Sequence, residues 1–428
     1  MSRARVAPAK STSSATASSA DHMPVNLKPA GGLKPVPGVS LSCTAAGIRY
    51  RGRDDLVLIH LAPGTQVAGV FTRNAFCAAP VVVCREHLAG TAEARALLIN
   101  AGNANAGTGQ AGLDAARRSC ALAADALDVD TEAVLPLSTG VIGQALPVEP
   151  FARSLPMLAD ALDANGWDAV ARAIMTTDTV PKGISRQCQI DGRTVTVTGI
   201  AKGAGMIRPD MATMLAFVAT DAVVESSVLQ ALLNEVVAES FNAITVDGDT
   251  STNDACIVAA TGAAGHAPLT AESPALPVLR DALREVCVWL AQACVRDAEG
   301  ATRFIRVEVG AAASVEEARQ VAYTVAQSPL VKTAAFAGDP NWGRILAAVG
   351  RSGLEALDLS LVNLYLDDVC LIRGGEPDPD YSEARGAAVA GKSEYCIQVV
   401  LGRGDSSATV WTCDYSYDYV KINAEYRS

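Results

Sequence analysis

The run Ala201–Phe217, AKGAGMIRPDMATMLAF, concentrates groups that could do chemistry. Lys202-Gly203-Ala204-Gly205 is a pliable loop carrying one cation, and Pro209 stops any regular element from running through. An apolar stretch then opens at Met211 with Thr213 inside it. A threonine in an apolar stretch is ordinarily a core hydroxyl with a backbone partner. The other role is that of a nucleophile, which needs a neighbour to take its proton. Histidine is a poor candidate for that neighbour: His22, His60, His87 and His266 are the only four, none sits in a motif, and no G-x-S-x-G elbow occurs.

Two further stretches could bind or polarise a ligand. In Leu137–Gly143, LSTGVIG, hydroxyl residues beside glycines leave backbone N–H groups open to developing negative charge, although a plain turn has the same composition. Gly107-x-Gly109-x-x-Gly112 opens a helical stretch as a dinucleotide fingerprint does. The preceding strand ends near Ile99, however, and a long Asn/Ala/Gly loop replaces the tight turn that the fingerprint requires. That pattern is better read as a glycine-rich loop supporting another site.

These stretches sit among alternating short strands and helices. Leu56–Ile59, Gln66–Phe71 and Ala96–Ile99 read as buried strands, and Thr194–Ile200 alternates as a half-buried strand should. Further strands are expected at Phe304–Val309, Leu359–Leu366, Tyr395–Leu401, Ala408–Asp414 and Tyr419–Ile422. Helices are expected at about Leu113–Leu127, Val148–Leu162, Ser226–Ala243 and Ala275–Val295, with another opening at the capping box Ser314-x-x-Glu317. The mixture is layered α/β or α+β. No internal repeat and no Pro/Ser-rich linker divides the chain.

Composition narrows the class. The 428 residues are 50% hydrophobic and 5% aromatic, with 35 Gly, which suits closely packed layers and is enough for two lobes. A net charge of −11 argues against nucleic acid as a partner. No stretch has the apolar length of a membrane span. Eleven scattered Cys without a C-x-x-C pair read as buried free thiols in a reducing compartment, with no metal site. From Met1 to about Ala30 the chain is rich in Arg, Ser and Ala with no acid before Asp21, the composition of an organellar transit peptide. The alternative, which we favour, is a disordered tail, extending over residues 1–37 of a cytoplasmic protein.

The run around Thr213 closely resembles the signature of the bifunctional ornithine acetyltransferase/glutamate N-acetyltransferase family of arginine biosynthesis, K-G-[SA]-G-M-I-x-P-[ND]-M-A-T-M-L. Other blocks resembling that family are Ile99–Ala106, Ser138–Gly143, Met175–Thr179, Val246–Asp254, Val295–Thr302, Gly338–Arg344 and Ile422–Ser428. The resemblance extends from about Gly38 to Ser428. Asp210 replaces the family's frequent Asn, and Ser428 its frequent terminal Thr.

The resemblance implies an αββα sandwich of the N-terminal-nucleophile type. It implies self-cleavage between Ala212 and Thr213, giving segments 38–212 and 213–428 that remain intertwined, and assembly as two copies of each. Thr213 would carry an acetyl group from N-acetylornithine to glutamate, with Thr139 and Gly140 as the oxyanion hole. Thr176, Lys202, Thr213, Glu299, Asn423 and Ser428 would bind substrate. No cofactor is implied, although acetyl-CoA is a possible co-substrate. Two other readings remain: a self-cleaving aminopeptidase or amidohydrolase of similar fold, and a nucleotide-binding α/β protein resting on the Gly107 pattern.

Overall fold

The computed structural model describes residues 23–28, 31–90, 93–208 and 214–426. Ala212, Thr213 and Ser428 lie outside the described residues.

The apolar runs form two sheets that face each other. The first has the order β1 (Val39–Thr44), β2 (Leu56–Leu61), β4 (Ala96–Asn103), β5 (Val134–Val141), with only β4 and β5 parallel. The second has the order β3 (Gln66–Phe71), β9 (Ala255–Ala260), β8 (Leu215–Thr220), β7 (Arg193–Lys202), β6 (Lys182–Ile190), with only β8 and β9 parallel. β4, β8 and β9 are buried along their whole length, which is why they read as continuous apolar runs. Ile59, Leu61, Ile99 and Leu137 of one sheet pack against Phe217, Ile257 and Ala259 of the other. The second sheet mixes strands from before and after position 212.

Helices cover both outer faces. On the first sheet α2 (Gly109–Leu127) and α3 (Glu149–Asp160) lay Cys120, Ala123, Phe151 and Leu155 against Leu58 and Leu98, and α1 (Ala79–Ala89) contributes Val83. On the second, α5 (Ser226–Glu239) and α6 (Leu276–Arg296) pack Leu229, Leu233, Val286 and Leu290 against Val197, Val218 and Val258. The short α4 (Trp167–Ala173) touches strands of both sheets and adds Trp167 and Val170 to the core between them. The expected αββα sandwich is therefore present; the expected β2, β3, β4, β7, α2, α3, α5 and α6 hold to within a few residues, whereas β1, β5, β6, β8, β9, α1 and α4 were not read from the sequence.

A second layered unit follows, for which the sequence reading offered no boundary. Its sheet runs β13 (Glu376–Pro377), β12 (Val369–Arg373), β11 (Asn363–Leu366), β14 (Glu394–Val400), β10 (Phe304–Ala312), β15 (Ser406–Cys413). α7 (Val315–Ala326), α8 (Pro329–Ala337), α9 (Trp342–Gly350) and α10 (Glu383–Ala390) cover it, with Val321, Val325, Ile345 and Val349 against Val307, Val399 and Leu364. The boundary is silent because β10 follows α6 through a short structured loop. Asp414 holds that loop by accepting from Thr302 N and Arg303 N at 2.8 and 2.9 Å.

Three expectations need correction. Tyr419–Ile422 is not a strand but part of α11 (Tyr417–Glu425). Ser416 caps this helix through Tyr419 N and Asp418 lies in its first turn, and these local signals outweigh the β-like Tyr/Val/Ile content. Of Leu359–Leu366, residues 359–361 form a 3-10 turn capped by Asp358, and the strand starts at Asn363. The tail of residues 1–37 is not disordered throughout: Val25 and Val36 are buried, and Val25 N donates to Arg296 O at 2.8 Å. Lys34 N donates to Ser185 Oγ and Lys34 O accepts from Thr198 Oγ1, both at 2.8 Å, so this stretch is strapped across β6 and β7. Residues 1–22 lie outside the described residues.

The Ser314 cap forms as expected, its Oγ accepting from Glu317 N at 3.1 Å. Glu317 does not reach back to Ser314 N; it accepts from Ala313 N and from Arg403. All eleven Cys are unpaired, most of them buried. Among the described residues no helix is long and apolar enough to cross a membrane.

Candidate active site

The strand ends on one side of the two sheets bring the sequence-selected residues together. Thr139 and Gly140 lie at the end of β5, paired in register with Ala101 and Gly102 of β4. Gly140 has φ +134°, and a Cβ there would lie 2.1 Å from the carbonyl carbon of Gly102. Only glycine fits this approach. Lys202 closes β7, is 3% exposed, and points its Nζ at Thr139 Oγ1, 3.3 Å away. The Thr139 hydroxyl is its one hydrogen-bond partner among the described residues, while Asp178 and Asp254 lie near enough to feel its charge.

Thr176 enters from the loop after α4, where its backbone N–H donates to Asp178 Oδ2 at 3.0 Å. Glu299 enters from the loop after α6. Its carboxylate accepts from Asn423 Nδ2 of α11 at 2.8 Å and lies where a Cβ at Gly205 would stand, 2.5 Å away. Glu299 thus packs directly on the Lys202–Gly205 loop, and its N–H donates to Ala204 O. Thr139, Gly140, Thr176, Lys202, Glu299 and Asn423 all line one cavity of about 220 Å³. Ala212, Thr213 and Ser428 lie outside the described residues; the first described residue after Thr213, Met214, donates its N–H to Asp254 Oδ1 at 3.0 Å.

The remaining wall was not assigned from sequence. Ser251, Thr252, Asn253, Thr177, Met206 and Tyr426 also line the cavity. Asn253 Nδ2 ties the walls together by donating to Ala104 O at 2.7 Å and Ser138 O at 2.9 Å. Its signal was available, since Val246–Asp254 and Met175–Thr179 are among the blocks resembling the family, but a shared block does not say which member faces a ligand.

Beneath the cavity lies a fully buried charge cluster. Lys182 Nζ is 2.6 Å from both Asp178 Oδ1 and Asp297 Oδ2. Asp178 also accepts from Gly203 N at 2.6 Å, and Asp297 accepts from Thr179 N at 3.1 Å and from Thr179 Oγ1. Burial alone would raise the Asp178 carboxyl, but Lys182, Lys202 and the hydrogen bonds override it and hold it well below the usual carboxylate range. Burial would likewise depress Lys182, and the two carboxylates keep it above its ordinary value. The cluster fixes the loops that carry Thr176 and Lys202.

The glycines of the fingerprint-like pattern have local explanations. Gly107 lies under the Phe76 ring, Gly107 and Gly109 have positive φ, and a Cβ at Gly112 would stand 1.9 Å from Thr108 Oγ1. The loop folds on itself through Asn105, whose Nδ2 donates to Gly112 O at 2.9 Å. Two of the histidines are likewise structural: His87 Nδ1 meets Val134 O and His266 Nε2 accepts from Val223 N.

The chain is similar to known proteins over most of its length. An arginine biosynthesis bifunctional protein ArgJ from Pseudomonas syringae pv. tomato is 54% identical over 407 residues, 95% of this chain and 100% of its own length. The ArgJ protein of Methylococcus capsulatus is 55% identical over 397 residues, 92% of this chain and 97% of its own. A crystal structure of an arginine biosynthesis bifunctional protein ArgJ from Bacillus halodurans is 41% identical, covering 49% of this chain and 98% of that chain at a TM-score of 0.47. The ArgJ family model matches residues 40–428. With nearly its whole length matched by that model and by relatives above half identity, the chain belongs to the ArgJ family of bifunctional arginine-biosynthesis proteins.

Proposed function

We propose that this chain cuts itself between Ala212 and Thr213 and then transfers the acetyl group of N-acetylornithine to glutamate through an acetyl-Thr213 ester. The observation that carries this reading is the convergence of Thr139, Gly140, Lys202 and Glu299 on one cavity in a chain of this family. In the cut, Thr213 Oγ attacks the Ala212 carbonyl, its proton passes to the departing nitrogen, and the peptide bond becomes an ester. Water opens the ester, leaving the Ala212 carboxylate and a free Thr213 amine and hydroxyl.

The new α-amine removes the need for a histidine base in a chain with only four His. Its ordinary pKa of about 7.7–8.0 lies close to working pH, and it sits on the same residue as the hydroxyl it must deprotonate. The Thr139 hydroxyl and the Gly140 N–H stabilise the oxyanion of each tetrahedral intermediate. Lys202 takes the α-carboxylate common to both substrates. Glu299 takes a substrate ammonium, with Asn423, Thr176 and Ser428 completing the hydrogen bonding. After ornithine leaves, the glutamate amine attacks the ester and Thr213 Oγ regains its proton. Acetyl-CoA serves as a second acetyl donor. The segments up to 212 and from 213 stay together, as two copies of each, in the cytoplasm.

Denaturing electrophoresis with N-terminal sequencing tests the cut: two bands of similar size are expected, one beginning Thr-Met-Leu-Ala-Phe, and a single chain from Thr213→Ala that transfers no acetyl group. A Thr213→Ala chain that still splits overturns the mechanism. Release of acetate without N-acetylglutamate would favour the hydrolase reading instead. Glutamate acetylation from acetyl-CoA alone tests the second donor.

A further inference from the structure

The chain on both sides of residues 209–213 is tied to one loop, Thr245–Ala255. On the upstream side Asp247 accepts from Met206 N at 2.6 Å and from Ile207 N at 2.9 Å. Ile207 O accepts in turn from Val246 N at 2.8 Å and from Thr245 Oγ1 at 3.0 Å. Met206 is held in the left-handed region at φ +54°, a conformation a non-glycine residue adopts only when its surroundings impose it. On the downstream side Asp254 Oδ1 accepts from Met214 N at 3.0 Å, and Met214 O accepts from Ala255 N at 3.2 Å.

The two acids differ from ordinary loop carboxylates. Asp254 is 1% exposed, and its Oδ2 has no hydrogen-bond partner among the described residues. Burial pushes its carboxyl well above the carboxylate range, against the pull of the Met214 N–H and Lys202. A buried acid kept in this condition is costly unless its position matters. Burial also raises Asp247, to about 6, although the Asp249, Met206 and Ile207 amides oppose the shift.

We infer that Asp247 and Asp254 are positioning residues for the self-cleavage step, together holding the chain that enters and the chain that leaves the cut at a fixed separation. The inference rests on the cleavage reading above. An N→O shift needs a hydroxyl to approach the carbonyl of the residue before it, and a misplacement of about 1 Å can cost 10²-fold. Clamping both flanks to one loop removes the freedom that would make that approach rare. The role belongs to the acceptor oxygens and their placement, since what both acids do is accept from the backbone N–H groups of the flanking chain.

That role sets the experiment. The full-length chain and its variants are synthesised in a cell-free system and splitting is followed on denaturing gels. Asp254→Asn keeps an acceptor oxygen in place and is expected to split within about threefold of the parent rate. Asp254→Glu keeps the acid but moves the oxygen by one methylene, and Asp247→Ala removes the upstream acceptors; each is expected to split at least about tenfold more slowly. The same substitutions in a Thr213→Ala background report on folding through the melting temperature of the uncut chain. Parental splitting by Asp254→Glu, or splitting by Asp254→Asn as slow as by Asp254→Glu, overturns the positioning role. A parent chain that never splits removes the cleavage reading itself. Should Asp247→Ala fail to fold, the Asn/Glu pair at Asp254 decides.

Discussion

Lys182 and Lys202 stand on neighbouring strands, one residue out of register: Lys182 opposes Ala201 across the β6–β7 ladder. The pleat therefore sends them to opposite faces of the sheet. Both are almost wholly buried, yet their hydrogen-bond partners differ. Lys182 is held by two carboxylates, whereas Lys202, among the described residues, has a hydrogen bond only to the Thr139 hydroxyl and faces the cavity. A buried cation with fixed counter-charges is a structural joint. A buried cation that makes no ion pair among the described residues and lies at the wall of a cavity keeps its ammonium open to a group in that cavity, although Asp178 and Asp254 lie near enough to feel its charge. The contrast assigns roles to two lysines that no composition or spacing argument separates.

Substitution should separate them too. Lys182→Met leaves two carboxylates buried without their cation and is expected to cost about 3–5 kcal/mol of stability, read as a lower denaturation midpoint in urea. Lys202→Met should leave that midpoint nearly unchanged and lower kcat/KM for acetyl transfer about 100-fold, or about 2.7 kcal/mol. If instead Lys202→Met unfolds the protein and Lys182→Met only slows it, the roles are reversed.

Acidity offers a third, subtler probe. The folded-state pKa of Asp178 is lowered, so its stabilisation is complete above the unfolded carboxylate value of about 3.9 and is lost as pH falls from there toward the folded value. Lys182 is raised, so its contribution is complete below about 10.4 and is lost only at still higher pH. The cluster's contribution should be flat from about pH 5 to pH 9 in the parent. In Lys182→Met, stability should instead rise on acidification, because the orphaned carboxylates gain by protonating. The smallest effect serves as the control: Arg117 and Glu86 pair at 2.9 Å with both side chains about half exposed, and Arg117→Ala should change stability by no more than about 1 kcal/mol.

The parts of the sandwich that were legible are short apolar or alternating runs and helices with regular apolar stripes, while the wholly buried β8 and β9 were not read. Leu56–Ile59, Ala96–Ile99 and the α6 stretch needed no tertiary information. The sheet of the second layered unit escaped delimitation because the Ala298–Arg303 turn between α6 and β10 contains no Pro and no Pro/Ser-rich linker. α11 was misread because Tyr417–Ile422 has strand-like residues, and only the Ser416 cap and its docking beside Glu299 decide otherwise. At the site, motif resemblance selected Thr139, Gly140, Thr176, Lys202, Glu299 and Asn423, all of which the fold collects around one cavity. It was silent on Asp178, Asp247, Asn253 and Asp254, whose work is to hold other residues. Holding depends on pair geometry, which a linear motif does not encode.

The strand order β3-β9-β8-β7-β6 has a consequence for how the protein can be made. β3, β6 and β7 come from before position 212, while β8 and β9 come from after it, and each group is hydrogen-bonded to the other at two places. While the backbone is continuous, closing this sheet is a unimolecular search. Under the proposed cleavage, the same sheet can be rebuilt only when two separate polypeptides meet, so recovery becomes concentration-dependent and competes with aggregation. Denaturation of the cut protein should therefore be far less reversible at low concentration than that of the uncut Thr213→Ala chain. On that proposal the chain has one favourable opportunity to fold, and it comes before the cut.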